Sequence, residues 1–183
     1  MPKDHEIFLS YLNQTFGEED TILQHEAADG GPKVSVFVYK NLPEPGMITG
    51  VTYGLSWHSH PDWKFSRPEL IVSMESLDTA WPFSAAYFAG EFRGAKRFSY
   101  GDVFTTDDPF ADDTDMNGYF LFAQSILDAK PPHLKLNQFD ISFSQLYPIY
   151  SSELPLYREL GLEAFWKHPD FEIYNPKRKP IKA

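Results

Sequence analysis

Strand-like apolar runs fill the chain between Val34 and Tyr150, and one stretch among them changes to helical spacing. After a Gly30-Gly31-Pro32 turn, Val34, Val36 and Val38 alternate with Ser35, Phe37 and Tyr39, the period of two that a strand requires. Pro43 and Pro45 end that run. Met47 to Ser56 and Leu70 to Met74 read as further strands, so 47–75 is expected to form a long hairpin-like pair. From Asp78 to Arg93 the period changes. Trp81, Ala85, Phe88, Ala89 and Phe92 share one helical face, and Pro82 is tolerable in the first turn. Ala85, Ala86, Ala89 and Gly90 would let this helix lie close against a sheet, which makes it the expected central packing element.

Both ends of the chain read as helical. Asp4 to Phe16 places Ile7, Phe8, Tyr11, Leu12 and Phe16 on one face, with Asp4 as the expected N-cap and Gly17 as the stop. Tyr119 to Phe122 and Phe139 to Tyr150 supply later strands, separated by a loop-like Lys130-Pro131-Pro132, and Pro148 limits where the last strand can pair. Ser151 and Ser152 can cap a closing helix through Leu160; Gly161 breaks it, and Leu162 to Lys167 adds a turn. The basic tail, Lys177-Arg-Lys-Pro-Ile-Lys182, reads as a solvated, flexible end. Strands grouped between helical ends, without regular alternation, give an α+β class: a mixed, mostly antiparallel sheet packed by a central helix and terminal helices. With 183 residues and no internal repeat, the expectation is one domain spanning 1–183.

Composition narrows the chemistry. The absence of cysteine removes disulfides, thiolate catalysis and cysteine-ligated zinc, and fits a reducing compartment, so the cytoplasm is the expected location. Met1 to Glu6 lacks the pattern of a signal peptide, and no apolar stretch is long enough to cross a bilayer. A net charge of −10 and a pI near 4.9 repel phosphate backbones and disfavour direct nucleic-acid binding; a basic protein is the partner that such a field attracts. Nothing in the sequence fixes the oligomeric state.

The densest gathering of reactive side chains lies in Val51–Glu75. His58-Ser59-His60-Pro61-Asp62 has the H-x-H-x-D spacing of a binuclear metallohydrolase, whose metal would lower the pKa of a bound water. Such a site needs more ligands. Trp63 follows where a further histidine would help, and His5, His25, His133 and His168 are scattered without a second ligand motif. A metal-dependent hydrolase using His58, His60 and Asp62 therefore ranks behind a surface turn, with Trp57 and Trp63 covering the core edge. There is no G-x-S-x-G elbow, and the glycine pairs at Gly46/Gly50 and Gly90/Gly94 lack the lysine and hydroxyl of a phosphate loop. The aspartates of 107–115 miss the glycine and glutamate of a calcium loop. Glu69 and Glu75 flank a strand beside Arg67, where an ion pair or hydrogen-bonded support is a better reading than an acid/base couple. No enzymatic activity and no cofactor are expected.

Six short blocks occur in order: Thr52-Tyr-Gly-Leu-Ser56, His60-Pro-Asp-Trp63, Arg67-Pro-Glu-Leu70, Phe98-Ser-Tyr-Gly-Asp102, Leu146-Tyr-Pro-Ile-Tyr150 and Gly161-Leu-Glu-Ala-Phe-Trp166. Together they resemble the suppressor of fused family, and in particular its short bacterial members, over roughly Ile48 to Trp166. Trp81-Pro82, Tyr87-Phe88 and Gly101-Asp102 are similar to matching points in the animal member. His58 departs from the pattern, whereas His60 fits it. The resemblance implies protein binding without substrate turnover: the animal protein sequesters a transcription factor of Hedgehog signalling, and bacterial relatives look like immunity proteins that neutralise a cognate toxin, often a nuclease. A general interaction domain outside toxin systems is the alternative reading. Tyr53, Gly54, His60, Trp63, Arg67, Glu69, Trp81, Gly101, Asp102, Tyr147 and Trp166 form the family signature, read here as maintaining the fold, with a ligand surface as the second reading for Tyr53, Gly54, Arg67, Glu69, Gly101 and Asp102. The resemblance carries over no partner-binding residue. Charge alone points to Asp107, Asp108, Asp112, Asp113 and Asp115 as the contact with a basic toxin domain.

Overall fold

A strand that carries large apolar side chains on both faces needs cover on both, and Val34–Tyr39 is such a strand, with Val34, Val36 and Val38 on one face and Phe37 and Tyr39 on the other. In the computed structural model, which describes residues 1–127 and 133–182, that cover is complete along the middle of one eight-stranded sheet. The strands are β1 (Thr21–His25), β2 (Val34–Lys40), β3 (Ile48–Tyr53), β4 (Arg67–Met74), β5 (Val103–Thr105), β6 (Gly118–Ala123), β7 (His133–Lys135) and β8 (Asp140–Ile149). Their spatial order is β1-β2-β3-β4-β8-β6-β5, with β7 pairing to β8 beside that path. Every pairing is antiparallel except the central one, β4 with β8, which is parallel.

The α+β class and the hairpin-like pair of 47–75 hold: Ile48 faces Met74 and Val51 faces Ile71 across β3 and β4. Three short strands escape a periodicity reading. β1 has only partly buried side chains on one face, and β5 and β7 contribute three residues each, too few for a period to register. Pro148 sits past Gln145, where the β4 pairing ends, so its missing N–H costs the sheet no bond on that side. The proline-rich loop expected at Lys130–Pro132 lies outside the described residues.

Helix α2 (Ala80–Phe92) covers one face, burying Trp81, Ala85, Phe88 and Ala89 against Val36, Ile48, Leu70 and Val72. Small residues let it settle closely, and one of them belongs to the sheet. A Cβ on Gly50 of β3 would stand 2.7 Å from Pro82 Cβ, and one on Gly90 would meet the His25 ring at 2.7 Å. The other face has two covers. Helix α1 (Asp4–Phe16) lays Phe8 and Leu12 over β2, β3, β4 and the start of β8, with the Phe8 and Tyr53 rings stacked at 4.0 Å. Helices α3 (Leu154–Leu160) and α4 (Leu162–Trp166) place Tyr157 and Phe165 over Phe120, Tyr147 and Ile149.

Two expectations about the chain ends are corrected. Lys3, not Asp4, is the N-cap of α1; its N–H donates to Glu6 Oε2 at 2.7 Å, while Asp4 Oδ1 accepts the Asn137 N–H at 2.7 Å and ties the helix to the β7–β8 turn. The basic tail is not a solvated end. Arg178 is buried and forms a two-bonded ion pair with the buried Glu153, Nη1 to Oε1 at 2.6 Å and Nη2 to Oε2 at 2.7 Å. The Ile181 N–H donates to Glu153 Oε1 at 2.7 Å, and its side chain joins the apolar cluster under α3 and α4. Lys177, Lys179 and Lys182 face solvent, so a tail that reads as uniformly basic has one inward charge. Replacing Glu153 with alanine should strand that guanidinium and lower the unfolding free energy by about 3–5 kcal/mol in urea titrations. A loss below about 1 kcal/mol, the range of a surface pair, would mean that the tail is solvated.

Candidate functional site

Glu69 lies in β4 with its side chain fully buried, and among the described residues no cation is bonded to it. Four donors take the place of a counter-ion. Thr52 Oγ1 donates to Oε2 at 2.6 Å, while the Gly54 N–H at 2.9 Å, the Ser56 N–H at 3.0 Å and the Ser56 hydroxyl at 2.6 Å all converge on Oε1. Burial pushes this carboxyl above its ordinary value, and the four hydrogen bonds oppose that rise. The chain between β3 and β4 is thereby wound around one acid group. Gly54, at φ 134°, is the residue that permits the turn, since a Cβ there would lie 3.1 Å from the Val34 backbone.

A second ionic group closes over the same turn from the helix side. Arg93, at the end of α2 and buried, donates from Nη1 to the Gly54 carbonyl at 3.0 Å. Its Nε and Nη2 grip Asp29 of the β1–β2 turn at 2.8 and 2.6 Å. That guanidinium holds the Asp29 carboxyl down at about 2. Sequence reading missed both residues; an aspartate in a glycine turn and an arginine closing an apolar helix were the only available signal.

Arg67 does not pair with Glu69. Ser56 stands between them, giving its hydroxyl to Glu69 and accepting Arg67 Nη1 at its carbonyl, 3.0 Å away. The Arg67 guanidinium instead stacks over Phe139, with 4.1 Å to the ring centre. Glu75 is exposed at the far end of β4, so the two glutamates form no couple. His58 and His60 also diverge: His58 Nδ1 is 3.7 Å from Asp29, whereas His60 Nδ1 accepts the Asp62 N–H at 3.2 Å and its ring leans on Trp63. Among the described residues, no three metal-ligating side chains come together.

The remaining signature positions make no hydrogen bond to the Glu69 carboxylate. Trp63 donates its indole N–H to the Arg97 carbonyl. Gly101, at φ 89°, gives its carbonyl to the Tyr157 hydroxyl at 3.1 Å, and Asp102 Oδ2 accepts the Ser99 N–H at 2.9 Å. Tyr147 packs on Phe120 and Trp166, and its hydroxyl donates to the Ala123 carbonyl at 2.8 Å. Trp81 is buried, and its indole N–H donates to Asp113 at 3.0 Å. The acidic stretch is thereby divided. Asp113 is committed inward to Trp81 and Ser76; Asp112 and Asp115 are exposed beside Asp78, and Asp107 and Asp108 are exposed beside α2.

A helix-covered mixed sheet whose β3–β4 loop is wound on a buried carboxylate defines an α+β domain of a particular design. The family model for Suppressor of fused protein (SUFU) matches residues 30–179, and the chain belongs to the suppressor of fused family. No curated protein matches its sequence. Among solved structures, it is similar to a suppressor of fused homolog from Neisseria gonorrhoeae, with a TM-score of 0.72 and 14% identity over 98% of each chain. Drosophila Suppressor of Fused matches with a TM-score of 0.60 and 12% identity over 97% of this chain and 51% of that one. This chain therefore spans about half the length of the fly protein. A chain in the crystal structure of the Sufu–Fu complex matches at 0.63 with 13% identity, covering 97% of this chain and 91% of that one.

The carboxyls of Glu69, which is buried, and Asp29, which is not, should respond to pH with opposite signs. Glu69 sits above its ordinary value near 4.5, so its contribution is complete in acid and is lost as pH rises through its folded value. Asp29 sits at about 2, so its contribution is present above its ordinary value of 3.8 and is lost as pH falls toward 2. In urea midpoints measured across pH, Glu69→Gln should flatten the decline above pH 4.5, and an unchanged slope would contradict the assignment. Arg93→Ala should return the Asp29 carboxyl resonance to an ordinary titration in NMR.

Proposed function

We propose that this chain is a protein-binding module that neutralises a cognate bacterial toxin by sitting over its working surface. Membership in the suppressor of fused family supports a protein-interaction role, as does the likeness to a structure described as a complex. The observation that carries the reading is the position of Asp107 and Asp108. They stand on the rim of a groove of about 520 Å³ whose apolar wall includes Phe83, Tyr87 and Phe110, with Phe83 39% exposed. An apolar wall with an acidic rim suits a basic surface bearing an apolar anchor: rim charges speed encounter, and the buried contact holds the complex. A nuclease domain offers such a surface, because it must bind phosphate. The net charge of −10 acts in the same direction, and the site of action is the cytoplasm in which the toxin is made.

The full set of five aspartates is too broad for this contact. Asp113 serves Trp81 and Ser76, and Asp112 and Asp115 line a separate groove shared with Asp78 and Lys177. The test uses the C-terminal domain of a large toxin encoded beside this gene, with binding followed by surface plasmon resonance. The pair Asp107→Lys and Asp108→Lys should slow association about tenfold or more at low salt, with a smaller effect at high salt. Unchanged association with that domain would remove this surface, and no binding by the wild-type chain would remove the toxin reading.

A further inference from the structure

Arg67 lines a cavity, and among the described residues only Nη1 of its guanidinium is hydrogen-bonded. The cavity measures about 650 Å³ and is lined by Tyr53, Trp57, Arg67, Phe139, Asn137 and the first turn of α1. Phe139 supports one face of the guanidinium, and Nη1 is committed to the Ser56 carbonyl. No further hydrogen bond to Arg67 is made among the described residues, which leaves the Nε–Nη2 edge, the planar fork that matches a carboxylate with two parallel bonds. Glu69, two residues along β4, does not neutralise it, because its oxygens are turned to Thr52, Gly54 and Ser56. Lys3 and His5 also line the cavity, against one acid, Asp4, whose Oδ1 is taken by the Asn137 N–H. In a chain of net charge −10, this is a locally cationic site. Its rim is aromatic: Trp57 is 42% exposed and meets Tyr53 edge to face at 5.1 Å.

We propose that this cavity binds a carboxylate carried on an apolar or aromatic body, with the Nε–Nη2 edge of Arg67 gripping the carboxylate and Trp57 packing on the body. Two sources of that chemistry exist in a protein partner, an acidic side chain beside an apolar residue and a free C-terminus. The site is separate from the Asp107–Asp108 groove. Tyr53 belongs to the apolar cluster under α1, whereas Phe88 beside the acidic rim belongs to the cluster under α2, on the opposite face of the sheet. The inference does not depend on a toxin partner.

The experiment is a titration of the full, isotope-labelled chain followed by NMR, with N-acetylphenylalanine, its neutral amide and phenyl phosphate as probes. N-acetylphenylalanine should shift the Trp57 indole N–H and the Arg67 Nε–H saturably, and the amide should bind about tenfold or more weakly, as loss of a charged two-point contact demands. Arg67→Lys, which keeps the charge but removes the fork, should weaken the acid by a similar factor. If that variant fails to fold, the acid-against-amide contrast on the native chain decides alone. Equal binding of acid and amide, or shifts that avoid Trp57 and Arg67, would overturn the proposal. Tighter binding of phenyl phosphate would replace the carboxylate with a phosphate. A short peptide with an internal glutamate beside phenylalanine and an amidated end, compared with one ending in a free phenylalanine, separates the two carboxylate sources.

Discussion

A carboxyl group taken out of water without a counter-ion needs donors on nearly every lone pair, and meeting that need at Glu69 determines how the middle of this protein is arranged. Thr52 must bring its hydroxyl within reach of Glu69 from the neighbouring strand, Gly54 must turn its N–H inward, and Ser56 must return both its N–H and its hydroxyl to the same oxygen. The β3–β4 connection therefore has little freedom. Thr52 does a second service by accepting the Leu70 N–H at 2.8 Å, which couples the acid's surroundings to the backbone of β4 itself.

The same turn is where the layers of the molecule meet. The Gly54 N–H serves the acid in the sheet, and its carbonyl serves Arg93 at the end of α2, which in turn holds Asp29 in the β1–β2 turn. One backbone unit thus links a strand, a helix end and an edge hairpin. On the far side of the sheet, the Tyr53 ring receives Phe8 of α1. A displacement at this point would disturb both helical covers together.

Much of this was legible in the residues. The period of two at Val34–Tyr39 and the helical spacing at Asp78–Arg93 are strong because each side chain there is dictated by burial on a known face. Among the described residues, the blocks Thr52–Ser56 and Arg67–Leu70 contain every hydrogen-bond donor to the Glu69 carboxylate and the acid itself, so the site was visible as a motif before its geometry was known. Its chemistry was not, because one-dimensional proximity favours an Arg67–Glu69 pair, and only the fold places Ser56 between them. The Asp29–Arg93 pair joins residues far apart in sequence and carries no local pattern. In the tail, charge composition concealed Arg178: four of its six residues are basic and read as a polar end, yet one of them, Arg178, is matched by Glu153 upstream.

The parallel pairing of β4 with β8 has a consequence for how this chain reaches its structure. On one side, β1 to β4 are consecutive antiparallel neighbours that close through short connections; on the other, β5 pairs with β6 across one loop. The two groups meet where Arg67 comes opposite Ile141, and that register closes a loop containing all of α2, β5, β6 and β7. Loop-closure entropy thus falls most heavily on a single line through the middle of the sheet. The buried acid stands on that line, for Glu69 itself is opposite Phe143. The chain must therefore bring together its most distant strand partners at the place where its desolvated carboxyl is also enclosed, so long-range sheet assembly and the sealing of a polar core coincide.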